Sequence, residues 1–251
     1  MPELNEAVGG TVFHWKDLDE ELLFKICVTP WSKFYKHDLI KKSGARFPIH
    51  IIYQDNIFFW EVLFNTEKIY FYNKFLYTRR THSNSCVHSN DEKNIDSIKI
   101  NNMIMETFMK YGYFEKYKAR LYNRKINLGF KRYTEIRDEF KELYFSEMKK
   151  DFLKNIGHEK YDEFYSLLYP TNRHLLNNVM TSENHIEFDL RNKVSRLKMD
   201  IYDLSQEKSE LAKKANALKK ENKNLTKLNN DILSSRSWKV TKPLRSFRKM
   251  L

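Results

Sequence analysis

The chain has 251 residues, 41% of them hydrophobic and 15% aromatic, so it is long enough to build a sizeable core and too aromatic to be disordered. A net charge of +12 favours anionic partners, and two cysteines make no disulfide framework, which points to a reducing cytoplasm. Only 6 Gly and 5 Pro leave few turns, favouring long helices over a many-stranded sandwich, and no apolar run approaches the roughly 20 residues of a spanning helix.

Residues 11–89 read as mixed α/β. Leu18, Leu22, Leu23 and Ile26 recur at helical spacing behind acidic residues, and Pro30 closes that helix. Ile49, Ile51 and Tyr53 alternate like a strand. From Asp55 to Asn65 the chain is apolar nearly all round, as a buried helix would be, with Asp55 expected as its cap. Ile69 to Phe71 and Phe75 to Arg80 then predict two short strands joined at Asn73-Lys74.

From Asp91 to Pro170 the pattern is helical. Phe140, Leu143, Tyr144, Met148 and Phe152 mark one face, and Phe164, Leu167 and Leu168 a shorter one. No chemistry is visible in this stretch. Beyond it Leu190, Leu197, Leu204, Leu211, Leu218, Leu225 and Ile232 recur every seven residues without Pro or Gly, predicting a coiled coil or extended helix roughly 65 Å long. The intervening core positions hold Val194, Ile201, Lys208, Ala215, Asn222 and Asn229. Asn222 favours pairing in a defined register, whereas a parallel homodimer would set Lys193 against Lys198 and Lys214 against Lys219. An antiparallel pair, a different partner, and packing on the chain's own body all stay open. Residues 236–251 form a basic tail with Trp238, Leu244, Phe247 and Leu251 on one helical face, suited to an anionic membrane surface. The expected organisation is therefore a body at 1–90, a helical appendage at 91–180, a coiled coil at 181–235 and the tail.

A family resemblance rests on pieces in order: Trp31-Ser32-Lys33-Phe34-Tyr35, Arg46-Phe47-Pro48, Tyr53-Gln54-Asp55-Asn56, Phe58-Phe59, Leu76-Tyr77, then Arg80-Thr81-His82 and Ser85. Together they resemble the acceptor-side half of family 2 glycosyltransferases of the GT-A fold, over about residues 11–90. The segment Ser237-Trp238-Lys239-Val240-Thr241-Lys242-Pro243-Leu244-Arg245 looks like a closing segment of such enzymes. The resemblance implies a partial GT-A-like body and a transfer of sugar from a nucleotide-sugar donor to a glycan or lipid-linked acceptor, in surface polysaccharide synthesis at the inner membrane face. It implies that Asp55 is the general base, with Gln54 standing where the family has Glu. Arg80 and His82 match positions near the nucleotide diphosphate, and Trp31 and Lys33 belong to the substrate side. Trp31 and Trp60 have two readings, a sugar-stacking surface or buried core.

The family's Pro-x-Tyr-Asn strand motif and its metal-holding Asp-x-Asp, which precede the acceptor half, have no counterpart here. Asp17-Leu18-Asp19 spells the second pattern, but its place at a helix start makes these residues N-terminal charges. The Mg or Mn ion that the family uses therefore has no motif in this sequence, and the chain alone is expected to be inactive. His82, Cys86 and His88 lie close together but lack the second ligand pair of a zinc site. The competing reading is a non-catalytic scaffold that recruits a partner through the heptads. A DNA-binding zipper is excluded: the stretch before the first leucine holds Pro170, Glu183, Glu187 and Asp189 rather than a basic helix.

Overall fold

The computed structural model describes residues 2–74, 76–78, 80, 91–155 and 161–242. It is mostly helical, with two short strands among the described residues. Two compact units make up the chain, 1–191 and 192–251.

In the first unit α1 (Pro2–Val8) precedes β1 (Val12–Phe13), and α2 spans Glu20–Lys25. The Asp17-Leu18-Asp19 stretch does cap local helices. Asp17 Oδ2 accepts the His14 N–H at 2.8 Å, closing a 3-10 turn at Trp15–Asp17, and Asp19 Oδ1 accepts the Leu22 N–H at 2.8 Å at the start of α2. A helix α3 (His37–Ser43) ends at Gly44, whose φ of 66° suits a residue without Cβ.

Next comes α4 (Asp55–Phe64), and its all-round apolar surface has a direct explanation. Ile57, Phe59, Trp60 and Leu63 enter the main core with Trp15, Leu23, Ile104, Phe108, Tyr117 and Leu121, while Phe58 and Val62 pack against Ala45, Tyr35, Leu39 and Ile40 on the other side. A helix covered on two faces needs no polar stripe. This core joins the N-terminal residues to α5 (Asp96–Lys110) and α6 (Phe114–Glu135).

The turn between α5 and α6 closes as a Schellman motif. Gly112 takes φ 74°, Tyr113 N–H donates to Phe108 O at 2.8 Å and Gly112 N–H to Met109 O at 3.0 Å. A second core gathers α6, α7 (Lys141–Asn155), α8 (Tyr161–Leu167), α9 (Pro170–Thr181) and Phe188. Asn123 links α6 to the start of α9: its Nδ2 donates to Leu167 O at 2.9 Å, and its Oδ1 accepts Tyr169 N–H at 2.7 Å and Asn172 Nδ2 at 2.8 Å.

Three expectations need correction. The Ile49–Tyr53 alternation is not a strand, because His50 and Tyr53 take φ of 57° and 63°, which breaks any extended run. Ile69–Tyr70 is a strand (β2), but its partner is β1, with Val12 opposite Tyr70 and Phe13 opposite Ile69. Leu76, Tyr77, Thr78 and Arg80 carry no strand; the rest of that expected hairpin lies outside the described residues. On α7 the buried face keeps the expected Tyr144, Met148 and Phe152, but Phe145 joins them and Leu143 is exposed.

The helix α10 runs His185–Ser234, 50 residues without a break or about 75 Å, and α11 (Arg236–Val240) follows, capped by Ser235. Its residues through Arg191 belong to the first unit, where Phe188 is fully buried. In the second unit every large aliphatic residue of the heptad seam is exposed, from Ile232 at 46% to Ile201 at 66%. Among the described residues no helix is long and apolar enough to cross a membrane.

Candidate functional site

The start of α4 is held under backbone constraint. Two non-glycine residues with left-handed backbone, His50 and Tyr53, stand just before Asp55, each costing on the order of 1–3 kcal/mol. Contacts from far along the chain hold them. The Ile52 N–H donates to Asp96 Oδ2 at 3.1 Å, Tyr53 Oη donates to Asn94 Oδ1 at 3.2 Å, and the Arg132 guanidinium lies 4.7 Å from the Tyr53 ring centre. Asn94 is itself fully buried at the head of α5.

Asp55 is the first helical residue rather than the cap; Gln54 takes the cap position, exposed and without a side-chain capping bond. The Asp55 carboxylate is half-buried. Asn56 Nδ2 donates to its Oδ1 at 3.2 Å, and no cation among the described residues forms an ion pair with it. Tyr35 and Lys33 feel its charge. Burial and Asp55 push the Tyr35 phenol up to about 12, and its buried hydroxyl has no hydrogen-bond partner among the described residues. Burial lowers the Lys33 ammonium, against the opposing pull of Cys27 and Asp55.

Lys33 faces its own loop. Its Nζ donates to Cys27 O, to Thr29 O at 3.0 Å and to Ser32 Oγ at 3.2 Å, and it sits 5.1 Å from the Phe59 ring centre. It therefore staples residues 27–33. Burial raises the Cys27 thiol, but its hydrogen bonds with Thr29 and the nearby Lys33 outweigh that and leave it lowered.

Trp31 is 46% exposed and stacks on Tyr77, with ring centres 5.0 Å apart and planes at 24°. Trp60 has the other fate: it is buried at 2%, among Phe24, Phe59, Phe64 and Phe108. Arg80 is exposed and makes no contact with Asp55 among the described residues; His82, Ser85, Cys86 and His88 lie outside them. The charge of Asp55 thus reaches Lys33 and Tyr35, while Gln54 is exposed to solvent.

Sequence reasoning missed Arg124. Its Nη1 and Nη2 donate to Asn101 Oδ1 at 3.3 Å and to Asn56 Oδ1 at 3.4 Å, bringing a guanidinium to the first turn of α4. Burial, then the neighbouring Arg120, push it down to about 10. Nothing local in the sequence marks it, because Asn56 is 68 positions away.

Among the described residues no three His, Cys, Asp or Glu side chains converge as metal ligands, and the carboxylates of Asp17 and Asp19 are engaged by backbone N–H groups. The described residues form no donor set for a protein-held Mg or Mn ion. Comparison with protein-family models, with curated proteins and with solved structures gave no match. What stands is a helix-rich chain with one strained, clamped helix start that presents a carboxylate.

Proposed function

We propose that residues 11–90 are the acceptor-side part of a family 2 glycosyltransferase and that Asp55 is its general base. One observation carries the reading: a half-buried carboxylate without an ion-pair partner among the described residues, at a helix start that distant contacts hold in strained geometry, within an ordered series of family-like segments. In the transfer, an acceptor hydroxyl oxygen attacks the anomeric carbon of the donor. Its proton passes to the Asp55 carboxylate, and the bond from that carbon to the diphosphate oxygen breaks, the diphosphate leaving with the electron pair. A positioned carboxylate contributes about 10²–10⁴-fold to such a step.

The exposed Trp31–Tyr77 stack offers an aromatic face to the sugar, while Gln54 at the rim hydrogen-bonds without charge. Arg80 and His82 would serve the diphosphate side. No Pro-x-Tyr-Asn and no strand-end Asp-x-Asp occurs in this sequence, so the donor site has to come from elsewhere and this chain alone is inactive. The setting is the inner membrane face, with the basic residues 236–251 on anionic lipid.

The exposed heptads of 192–234 support a second reading, a non-catalytic scaffold whose coiled coil binds a second copy or a partner helix. Asp55→Asn in the cell that makes the glycan separates the two. Glycan output reduced at least a hundredfold, with the protein still present, supports the base. Unchanged output with Asp55→Asn but loss on deleting residues 190–232 favours the scaffold.

A further inference from the structure

We infer that the exposed seam of α10 pairs with a second copy of the same helix running in the opposite direction. This rests on the self-association reading above and goes further by assigning partner and orientation.

The seam is unpartnered along its whole length in the second unit: Val194, Leu197, Ile201, Leu204, Leu211, Leu218, Leu225 and Ile232 are all exposed. Charge along the helix then decides what covers it. Residues 200–210 carry Asp200, Asp203, Glu207 and Glu210 against one lysine, Lys208. Residues 213–227 carry Lys213, Lys214, Lys219, Lys220, Lys223 and Lys227 against one acid, Glu221. A parallel, in-register pair lays each block on its own kind. It also puts Lys208 beside Lys208 in the core and repeats the Lys193–Lys198 and Lys214–Lys219 clashes, with no attractive flanking pair in return.

Reversing one helix lays the acidic block of each copy along the basic block of the other. With the two ends of the seam in contact, Val194 meets the partner's Ile232, Ile201 meets the partner's Leu225, and Leu211 meets the partner's Ala215. Lys208 then packs its aliphatic stem on the partner's Leu218 instead of facing a second ammonium. Like charges still approach near the axis, Lys214 with its own copy and Glu207 with the partner's Glu221, so the centre is the weakest part of the seam. The acidic and basic blocks flank it on both sides.

The test uses the full chain with Cys27→Ser and Cys86→Ser and a spin label at Asn230→Cys, an exposed helical site. Sedimentation gives the state of association and pulsed electron resonance the distance between the two labels. The antiparallel pair gives a dimer with labels roughly 50 Å apart, since residue 230 of each copy then lies 34 positions from its mate. A dimer with labels roughly 10–20 Å apart overturns the orientation and leaves self-association standing. A monomer at all concentrations overturns both. Independently, Lys219→Glu with Lys220→Glu and Lys223→Glu raises the dimer dissociation constant at least tenfold if the helices are antiparallel. Tighter association in that variant overturns the proposal, because only a parallel pair gains by losing those lysines.

Discussion

Residues 1–191 and the helix from residue 192 onward are both rich in large apolar side chains, yet they use them in opposite ways. In the first unit Trp15, Trp60, Phe108, Tyr144, Phe145 and Phe188 are all but inaccessible, packed among one another from segments far apart in sequence. In the second, a leucine every seventh residue stays in the open. The contrast teaches that periodicity reports only that a face is apolar. Whether it is already covered depends on whether the chain folds back to meet it.

The largest test of that contrast is truncation. Trp60→Ala empties a site surrounded by four aromatic rings and should cost about 3–5 kcal/mol, read as a lower denaturation midpoint for the first unit. Leu204→Ala, of similar chemistry but exposed, should leave that transition within about 0.5 kcal/mol of the parent. A comparable loss from Leu204→Ala would break the contrast.

A close second probes the polar part of the buried core. Lys125 Nζ lies 2.6 Å from Asp151 Oδ2, both nearly inaccessible, with Asn102 bridging them at 2.7 Å and 2.6 Å. Lys125→Met alone takes the counter-charge from a buried carboxylate and should cost about 3–5 kcal/mol, whereas Lys125→Met with Asp151→Leu should return close to the parent. Urea titration of both variants reads the difference. An equal loss in the double variant would mean that the pair, rather than burial in general, holds α6 to α7.

The smallest effect is a pH dependence centred on Tyr35. Its folded pKa of about 12 lies above the ordinary tyrosine value of about 10, so the folded state keeps a proton that the unfolded state releases. The associated stability is intact below pH 10 and is lost as pH rises towards 12, by about 1 kcal/mol once solvent screening of the partly exposed ring is allowed for. Tyr35→Phe should remove that alkaline loss and, having no hydrogen bond to forfeit among the described residues, be neutral or slightly stabilising at pH 7. A destabilisation above about 1 kcal/mol at neutral pH would show that the hydroxyl has a partner.

The candidate site was half legible. Asp55, Lys33 and Tyr35 belong to segments that stand out in sequence, and the charge of Asp55 reaches the other two. Arg124, Asn94, Asp96 and Arg132 did not stand out, because each acts across 40 or more positions or through a ring face that leaves no local spacing. Gly112 did leave a signal, a glycine two positions beyond the last residue of α5, and it could have located the helix turn.

By itself the sequence determined what depends on neighbours along the chain: the helical bias from few Gly and Pro, the all-round apolar α4, the capping aspartates 17 and 19, and the uninterrupted heptads of α10. The tertiary structure decided what depends on distant contacts. It turned the alternating Ile49–Tyr53 run into a left-handed turn, paired β2 with β1, put Phe145 rather than Leu143 on the buried face of α7, and set a guanidinium at the start of α4. The reason is energetic: a local preference is worth a few tenths of a kcal/mol per residue, whereas a buried contact or a clamped turn is worth one to several, roughly, and overrides it.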